Sequence, residues 1–114
     1  MKSDTDKEEI CAKAVIRPDS PWFSGHFPGD PILPGIAQLE LVFAAIRNAV
    51  SKDMAVSGVR RVRFRQIIRP DEPMEICISP DKKNENEYIF RINVNAEVAC
   101  SGIMTVKQAE KKER

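Results

Sequence analysis

The amino-acid sequence predicts an α+β fold in which one curved antiparallel sheet wraps around one long helix. Three observations lead to this prediction. Residues 35–50 form an apolar helical segment, residues 56–107 contain four segments of strand character, and one further strand segment precedes the helix. A run of strands beside a single helix is typical of α+β domains. With 114 residues, the chain has the length of one domain.

The composition predicts a water-exposed domain without a dominant surface charge. Hydrophobic residues make up 42% of the chain, charged residues 31%, and the formal net charge is +1. No global field therefore favours nucleic acid or an anionic membrane as a partner. The charged start lacks the apolar stretch of a signal peptide, and no apolar run approaches the roughly 20 residues of a membrane span. We therefore expect a cytoplasmic protein.

The three cysteines, Cys11, Cys77 and Cys100, lack the C-x-x-C spacing of redox and zinc motifs. Each lies among apolar or small neighbours in a predicted strand. Buried free thiols are therefore the favoured interpretation, and they fit a reducing compartment. No group of residues has the spacing of a metal site, and we expect neither a metal nor an organic cofactor.

The order of the elements begins with a strand at residues 8–16, where β-branched residues favour extended backbone. The helix at residues 35–50 is apolar nearly all round, which predicts that other elements cover it on every side. That cover comes from the later strands, predicted at residues 56–68, 74–79, 87–94 and 98–107. Residues 1–7 and 108–114 are charged ends, expected to be frayed, of one domain at residues 8–107.

Residues 17–35 differ from the rest of the chain in composition. Five of the eight prolines and three of the five glycines lie there. Proline fixes φ and lacks an N–H donor, while glycine admits positive φ, so this segment is expected to be an ordered loop without regular structure. A loop of this length in so short a domain is usually functional.

Two polar residues, Gln38 and Glu40, lie early in the predicted helix, and Glu40 is the unusual one. Its neighbours three and four positions away are Ile36, Ala37, Phe43 and Ala44. No cation on the helix therefore pairs with Glu40, and removal from water would favour the neutral carboxyl. A neutral carboxyl can act as a general acid near neutral pH. The alternative is a solvent-exposed glutamate without a catalytic role.

His26, the only histidine, lies 14 residues before Glu40 in the Pro/Gly loop. An imidazole titrates near neutral pH and suits a general base. A single loop histidine is often incidental, but the adjacent Gly25, Phe27 and Pro28 restrict the backbone that holds this ring.

The start of the predicted helix offers a third chemical element. The N–H groups of Gly35 and Ile36 follow Pro34 and lie at the positive end of the helix dipole, without intrahelical partners. They could bind a carbonyl oxygen on which negative charge develops, as an oxyanion hole does. The alternative is an ordinary helix start hydrated by water.

The segment GHFPGDPILPGIAQLE, residues 25–40, resembles the signature of bacterial (3R)-hydroxyacyl-[acyl carrier protein] dehydratases of the hotdog superfamily. The shared pattern is G-H-F-x-G-x-P-x-x-P-G, followed by an acidic residue 14 positions after the histidine. A composite pattern of this length is far more specific than a short motif. Weaker similarity in KAVIRPDSPWFSGHF and VRFRQIIRPDEPMEICI extends the resemblance over nearly the whole domain.

The resemblance implies the hotdog fold and the conversion of (3R)-3-hydroxyacyl-[acyl carrier protein] into the trans-2-enoyl thioester and water. His26 would remove the C2 proton, Glu40 would protonate the departing 3-hydroxyl, and the N–H of Gly35 would hold the thioester carbonyl. The other residues expected beside the substrate are Ile36, Phe27 and Pro34. Such enzymes act as homodimers with shared active sites, without a cofactor, and pantetheine enters along the subunit interface.

Two departures from the family pattern leave the acyl-chain length, the pathway and the assembly beyond a dimer, such as a higher oligomer, open. Ala44 stands where many relatives have a glutamine, and a turn that is usually Pro-Gly-Asp is Pro70-Asp71-Glu72 here. Fatty-acid synthesis and a specialised lipid or polyene pathway both remain candidates, and isomerase activity on the enoyl product stays open.

Three arginines, Arg61, Arg63 and Arg65, alternate with Val62 and Phe64, so we expect them to share one strand face. They could form a docking patch for the acidic surface of acyl carrier protein, where charge mostly raises the association rate. An ordinary solvated face is the alternative. Nucleic-acid binding is not expected, because the overall charge is near zero.

Two other functions remain open from the sequence. A hotdog thioesterase would use the same scaffold, with Glu40 acting on a water molecule. A non-catalytic subunit that binds acyl carrier protein or a sister dehydratase would need neither His26 nor Glu40.

Overall fold

The computed structural model describes residues 9–23 and 31–109, in which five strands and one α-helix are found. The strands are β1 (Ile10–Ala14), β2 (Met54–Phe64), β3 (Met74–Pro80), β4 (Glu87–Val94) and β5 (Glu97–Gln108); the helix, α1, covers Gly35–Ala49. One turn of 3-10 helix, Pro21–Phe23, follows β1. The predicted helix and strands are all present, and the largest difference in bounds is the end of β2 at Phe64 instead of residue 68.

The strands form one antiparallel sheet in the order β1-β3-β4-β5-β2. The predicted tight hairpin at Asn95-Ala96 joins β4 to β5, with φ of 54° and 66° at the two turn residues. Positive φ at both positions is what a two-residue hairpin loop of matching twist requires. Because β1 and β2 occupy opposite edges of the sheet, the chain between them must cross it, and α1 lies in that crossing segment.

Alternation along the strands separates a core side of the sheet from an outer side. In β4, the buried residues are Tyr88, Phe90, Ile92 and Val94, whereas Ile89 is half exposed. The helix adds its buried Ala37, Val42 and Ile46 to the same core cluster. One helix on one antiparallel sheet confirms the predicted α+β architecture.

The helix is not covered on every side, contrary to the expectation from its apolar sequence. Val42 and Ile46 are 0% exposed, whereas Ile36 is 61% exposed, and Glu40 and Ala44 are also exposed. A single sheet is one layer, so it can cover only one side of a helix about 10 Å wide. An apolar side of α1 therefore remains open in the isolated chain.

Cys11 and Cys77 form a disulfide, so the prediction of free thiols is wrong for these two residues. They are direct partners in the antiparallel β1–β3 pair, with Cα atoms 4.1 Å apart. Directly opposite residues on neighbouring strands are close enough for this bond. Cys100 is free and buried as predicted, and burial raises the pKa of its thiol to about 11. This cysteine is therefore an inert core residue.

The predicted frayed ends lie mostly outside the described residues. Residues 1–7 and 110–114, which make up most of these ends, are not described. At the C-terminal end, β5 continues through Gln108, and the Ala109 N–H donates to the Asp53 carbonyl at 2.8 Å. Within residues 9–23 and 31–109, no helix has the length and apolar character that a membrane span requires.

Candidate active site

Glu40 lies on the uncovered side of α1 and lines a cleft of about 290 Å³ between this helix and β2. Among the described residues of this lining, it is the only one with a polar side chain. The other lining residues are Ile36, Leu39, Phe43, Val56, Val59 and Met104. The structure thus places one carboxyl beside an apolar cleft, as the helix sequence predicted, but Glu40 remains exposed to solvent within a single chain.

A β-bulge in β2 gives this cleft its apolar wall. Val56 pairs with Val106, and Val59 pairs with Met104. The two valines of β2 are three positions apart, whereas their partners in β5 are only two positions apart. The register shift between Val56 and Gly58 accounts for the extra residue. Both valines therefore face the helix, whereas regular alternation would have turned one of them to the outer side.

The helix start presents the predicted backbone donors. Pro34 is the N-cap, with φ −65° and ψ 155°, and its carbonyl accepts from the N–H groups of Ala37 (3.1 Å) and Gln38 (3.2 Å). The N–H groups of Gly35 and Ile36 precede the first intrahelical donors and have no partner within the helix. Ile36 belongs to the Glu40 cleft as well, so the donors and the carboxyl lie on adjoining parts of one helix end.

Phe64 explains why residue 35 is a glycine. A Cβ atom on Gly35 would lie 2.8 Å from the Cζ atom of the Phe64 ring, which is closer than such atoms approach in proteins. Phe64 ends β2, so this contact fixes the helix start against the sheet. The glycine allows close packing of the helix onto the ring of Phe64, which is itself half exposed.

The segment before the helix, residues 31–34, is fastened at Leu33. Its N–H donates to the Ile68 carbonyl at 2.7 Å, and its carbonyl accepts from Nε2 of Gln38 at 3.2 Å. A second cavity of about 250 Å³ adjoins this segment, and its lining includes Pro34, Gly35 and Gln38. The sequence marked Gln38 only as a polar residue in an apolar helix and indicated no role for it.

His26 and Phe27 lie outside the described residues. The distance between His26 and Glu40 is therefore not part of this structure, and the roles expected of His26 and Phe27 stay predictions. Of the remaining expected residues, the structure brings Pro34, Gly35 and Ile36 together at the helix start.

The arginines that were predicted to share one strand face do not alternate regularly along β2. Arg60 and Arg63 pair with Ile103 and Ser101, which lie two positions apart in β5 and face the same side. Arg61 lies in the register shift between them and has φ 58°. A bulge there interrupts the expected alternation from 61 to 65, so Arg60 shares the outer face with Arg63.

Arg65 follows the end of β2 and also faces the outer side of the sheet. It lines an open cavity of about 520 Å³ whose other lining residues include Arg91, Ser79, Ile89, Val98 and Ser101. The outer face is therefore basic at Arg63 and Arg65, while Arg60 is paired with Glu87 at 2.7 Å.

Among the described residues, one group has metal-ligand chemistry: Glu9, Cys11 and Cys77. Both sulfur atoms are joined in the disulfide, so neither is available as a thiolate ligand. The group lies on β1 and β3, away from the helix start.

Several known proteins that are similar to this chain are dehydratases. A solved structure, the dehydratase heterocomplex ApeI:P from Xenorhabdus doucetiae, superposes with a TM-score of 0.78 at 26% identity and covers 89% of this chain and 88% of that chain. The 3-hydroxyacyl-[acyl-carrier-protein] dehydratase FabZ of Haemophilus influenzae is 32% identical over 106 residues, covering 82% of this chain and 72% of the relative. The same enzyme of Rickettsia massiliae is 26% identical over 121 residues, covering 97% and 83%.

These similarities confirm the hotdog fold and place the chain among the hotdog dehydratases. The family model described as ApeI-like, for the ApeI dehydratase, matches residues 2–103. The chain therefore belongs to the ApeI-like dehydratase family.

Proposed function

We propose that this protein converts (3R)-3-hydroxyacyl-[acyl carrier protein] into trans-2-enoyl-[acyl carrier protein] and water. The observation that supports it most directly is Glu40, the single carboxyl that the described residues contribute to an apolar cleft, on a helix whose first N–H groups, those of Gly35 and Ile36, have no partner within the helix. Loss of water beside a thioester needs an acid for the hydroxyl and donors for the carbonyl oxygen. Membership of a dehydratase family and the named activity of the curated relatives support the same reaction.

In this proposal, His26 takes the C2 proton, and the electrons of the C–H bond move toward the thioester carbonyl. The N–H of Gly35 stabilises the negative charge on that oxygen, with Ile36 beside it. The C3–O bond then breaks while the Glu40 carboxyl transfers its proton to the departing hydroxyl, and the C2–C3 double bond forms. Atoms balance with one water released, and no cofactor enters.

The working unit that we propose is a homodimer joined through the uncovered side of α1. Ile36 is 61% exposed there, and Leu39, Phe43 and Ala44 extend the apolar surface. A second copy on this side would remove Glu40 from water, which the single chain does not do. It would also make a long acyl pocket from two short clefts. The related ApeI:P structure is a heterocomplex, so a sister subunit is the competing occupant.

We also propose that the acyl carrier protein docks on the outer face of the sheet, at Arg63 and Arg65 of the predicted set of three arginines. Arg63 and Arg65 face outward on the same side, and a basic surface would attract an acidic carrier. Replacing Arg63 and Arg65 with glutamate should weaken turnover of carrier-bound substrate and spare a small pantetheine thioester. Equal loss on both substrates would count against this docking site.

The reaction is tested by incubating the purified protein with 3-hydroxyacyl carrier proteins of graded chain length and measuring the loss of one water by mass. Enoyl absorbance without free thiol supports dehydration, whereas free thiol without enoyl absorbance identifies a thioesterase. Glu40→Gln should lower kcat by at least about 100-fold, since positioned acids contribute that much. Glu85→Gln, the same change at an exposed loop residue, is the matched control. Full activity of Glu40→Gln would favour a non-catalytic role for the site.

The pathway and the location form the last part of the proposal. The curated relatives are FabZ dehydratases, and fatty-acid synthesis and a specialised lipid or polyene pathway both stay predictions. A cytoplasmic location is retained as a prediction, although the Cys11–Cys77 disulfide is unusual for that compartment.

A further inference from the structure

The cleft beside Glu40 follows α1 for about two turns and ends at Phe43. Its lining takes residues from successive turns of the helix, namely Ile36, then Leu39 with Glu40, then Phe43. Arg47, the next residue on this side of α1, is exposed and lies outside the described lining. The far end of the cleft is therefore the Phe43 ring, which also packs against the core.

Arg47 holds the Phe43 ring at this end of the cleft. The guanidinium carbon of Arg47 lies 5.6 Å from the centroid of the ring, which is a cation–π distance. Its Nη2 atom donates to the Lys52 carbonyl at 3.0 Å. Lys52 belongs to the segment that joins α1 to β2, so the Arg47 side chain bridges the helix and that segment. The ring and the arginine together bound the cleft where the chain turns from α1 into β2.

The strand side of the cleft is an apolar wall. Val56 and Val59 line it on β2, and Met104, the partner of Val59 in β5, is 1% exposed. A hydrocarbon chain between this wall and the helix would be removed from water, which is favourable. Among the described residues, Glu40 is the only charged group of the lining. The cleft therefore suits an acyl chain that enters at the helix start and passes Glu40 on its way to Phe43.

The distance from the helix start to Phe43 corresponds to a definite chain length. Gly35 and Phe43 are eight positions apart, which is about 12 Å along the axis of α1. An extended chain advances about 1.2 Å per bond, by the dimensions of an extended polypeptide. A thioester with its carbonyl at the Gly35 N–H would therefore reach the ring with about ten carbons. The cleft volume of about 290 Å³ agrees, since a methylene group is similar in size to a water molecule of about 30 Å³.

We propose that Phe43 sets the maximum length of the acyl chain, at about ten carbons. This inference rests on the proposed dehydration, because the reaction places the thioester carbonyl at the helix start. It adds the residue that determines the substrate class, which is short and medium acyl chains. In the proposed homodimer, the second copy covers the open side of the cleft, and Phe43 still bounds its far end.

Saturated acyl-pantetheine thioesters of graded length, which lack the 3-hydroxyl and cannot lose water, measure the length of the cleft by calorimetry. For the wild type, the affinity should rise by up to about fourfold per added carbon, because each methylene group leaves water. The rise should stop near ten carbons, roughly where the chain reaches Phe43. Phe43→Ala should move this plateau by about four carbons, because one further helical turn of about 5.4 Å becomes available.

Phe43→Leu is the second variant and tests the proposal if Phe43→Ala does not fold. Leucine retains an apolar side chain that is about two bonds shorter, so the plateau should move by about two carbons. The matched control is Phe64→Leu, the same change at the other end of the cleft, where Phe64 contacts Gly35. It can change the affinity for all lengths, but it should leave the plateau in place. The variants are compared at concentrations at which light scattering gives the wild-type mass.

Turnover of 3-hydroxyacyl-pantetheine thioesters separates this inference from the reaction on which it rests. Phe43→Ala should form enoyl product from chains that the wild type rejects. A wild-type affinity without a plateau, or the same plateau in both Phe43 variants and the wild type, would overturn the role of Phe43. Enoyl product with one length profile in all proteins would likewise refute the length limit and leave the dehydration standing. The expected plateaus without enoyl product from any chain would refute the dehydration instead.

Discussion

The Cys11–Cys77 disulfide predicts a large stability difference between the oxidised and reduced protein. The bond joins residues 66 positions apart. In the chain-entropy treatment, a closed loop of that length reduces the entropy of the unfolded chain by an amount worth about 4 kcal/mol at 25 °C. The bond also fastens β1, an edge strand of five residues that pairs only with β3. Reduction should therefore remove about 2–4 kcal/mol from the free energy of unfolding.

Urea unfolding with and without reductant measures this difference, and Cys11→Ser is the matched variant. Without reductant, Cys11→Ser should unfold at a lower urea concentration than the wild type. With reductant, the two proteins should unfold together, because neither then has the bond. Alkylation of the unreduced protein in denaturant should modify only Cys100, and reduction should expose Cys11 and Cys77 as well. Modification of all the cysteines without reductant, or equal midpoints in oxidising buffer, would refute the reasoning.

Three further predictions follow from individual contacts. Gly35→Ala should displace the half-exposed Phe64 ring and destabilise the fold by about 1 kcal/mol, and Phe64→Leu in the same chain should restore part of the loss, measured by thermal unfolding. Ile36→Arg should shift the protein from dimer to monomer in light scattering, because it places a charge on the uncovered side of α1; an unchanged mass would contradict the proposed interface. Stability should fall as the pH rises from about 9 to about 11, because the unfolded Cys100 thiol ionises before the buried one, and Cys100→Ala should lack this component.

Local patterns in the sequence were sufficient to predict most of the fold. The Asn95-Ala96 turn, the alternation in β4 and the proline before Gly35 each act within a few residues, and the structure has the hairpin, the strand and the helix start at those places. Local patterns did not predict which strands pair with each other in the sheet. Cys11 and Cys77 illustrate the difference, because only the β1–β3 register brings them together.

Two bulges in β2 mark the limit of pattern reasoning at the site. Regular alternation predicts opposite faces for Arg60 and Arg63, and also for Val56 and Val59. Each bulge adds one residue to β2, so the two residues of each pair lie on the same face of the sheet. A single sequence does not reveal such a bulge. The outward arginines and the apolar wall beside Glu40 therefore depend on backbone irregularities that become visible only in the paired sheet.

The two sides of α1 differ in their burial, and this difference explains why the apolar helix sequence did not predict an open side. An apolar helix predicted a complete cover, but the sheet buries Val42 and Ile46 and leaves Ile36 and Glu40 open. In the proposed homodimer, the second copy would complete the cleft around Glu40, which a single chain leaves open. The apolar surface around Glu40 makes such a cover favourable. The same residues would then serve assembly and catalysis, and a chain unable to associate should fold normally and lack activity.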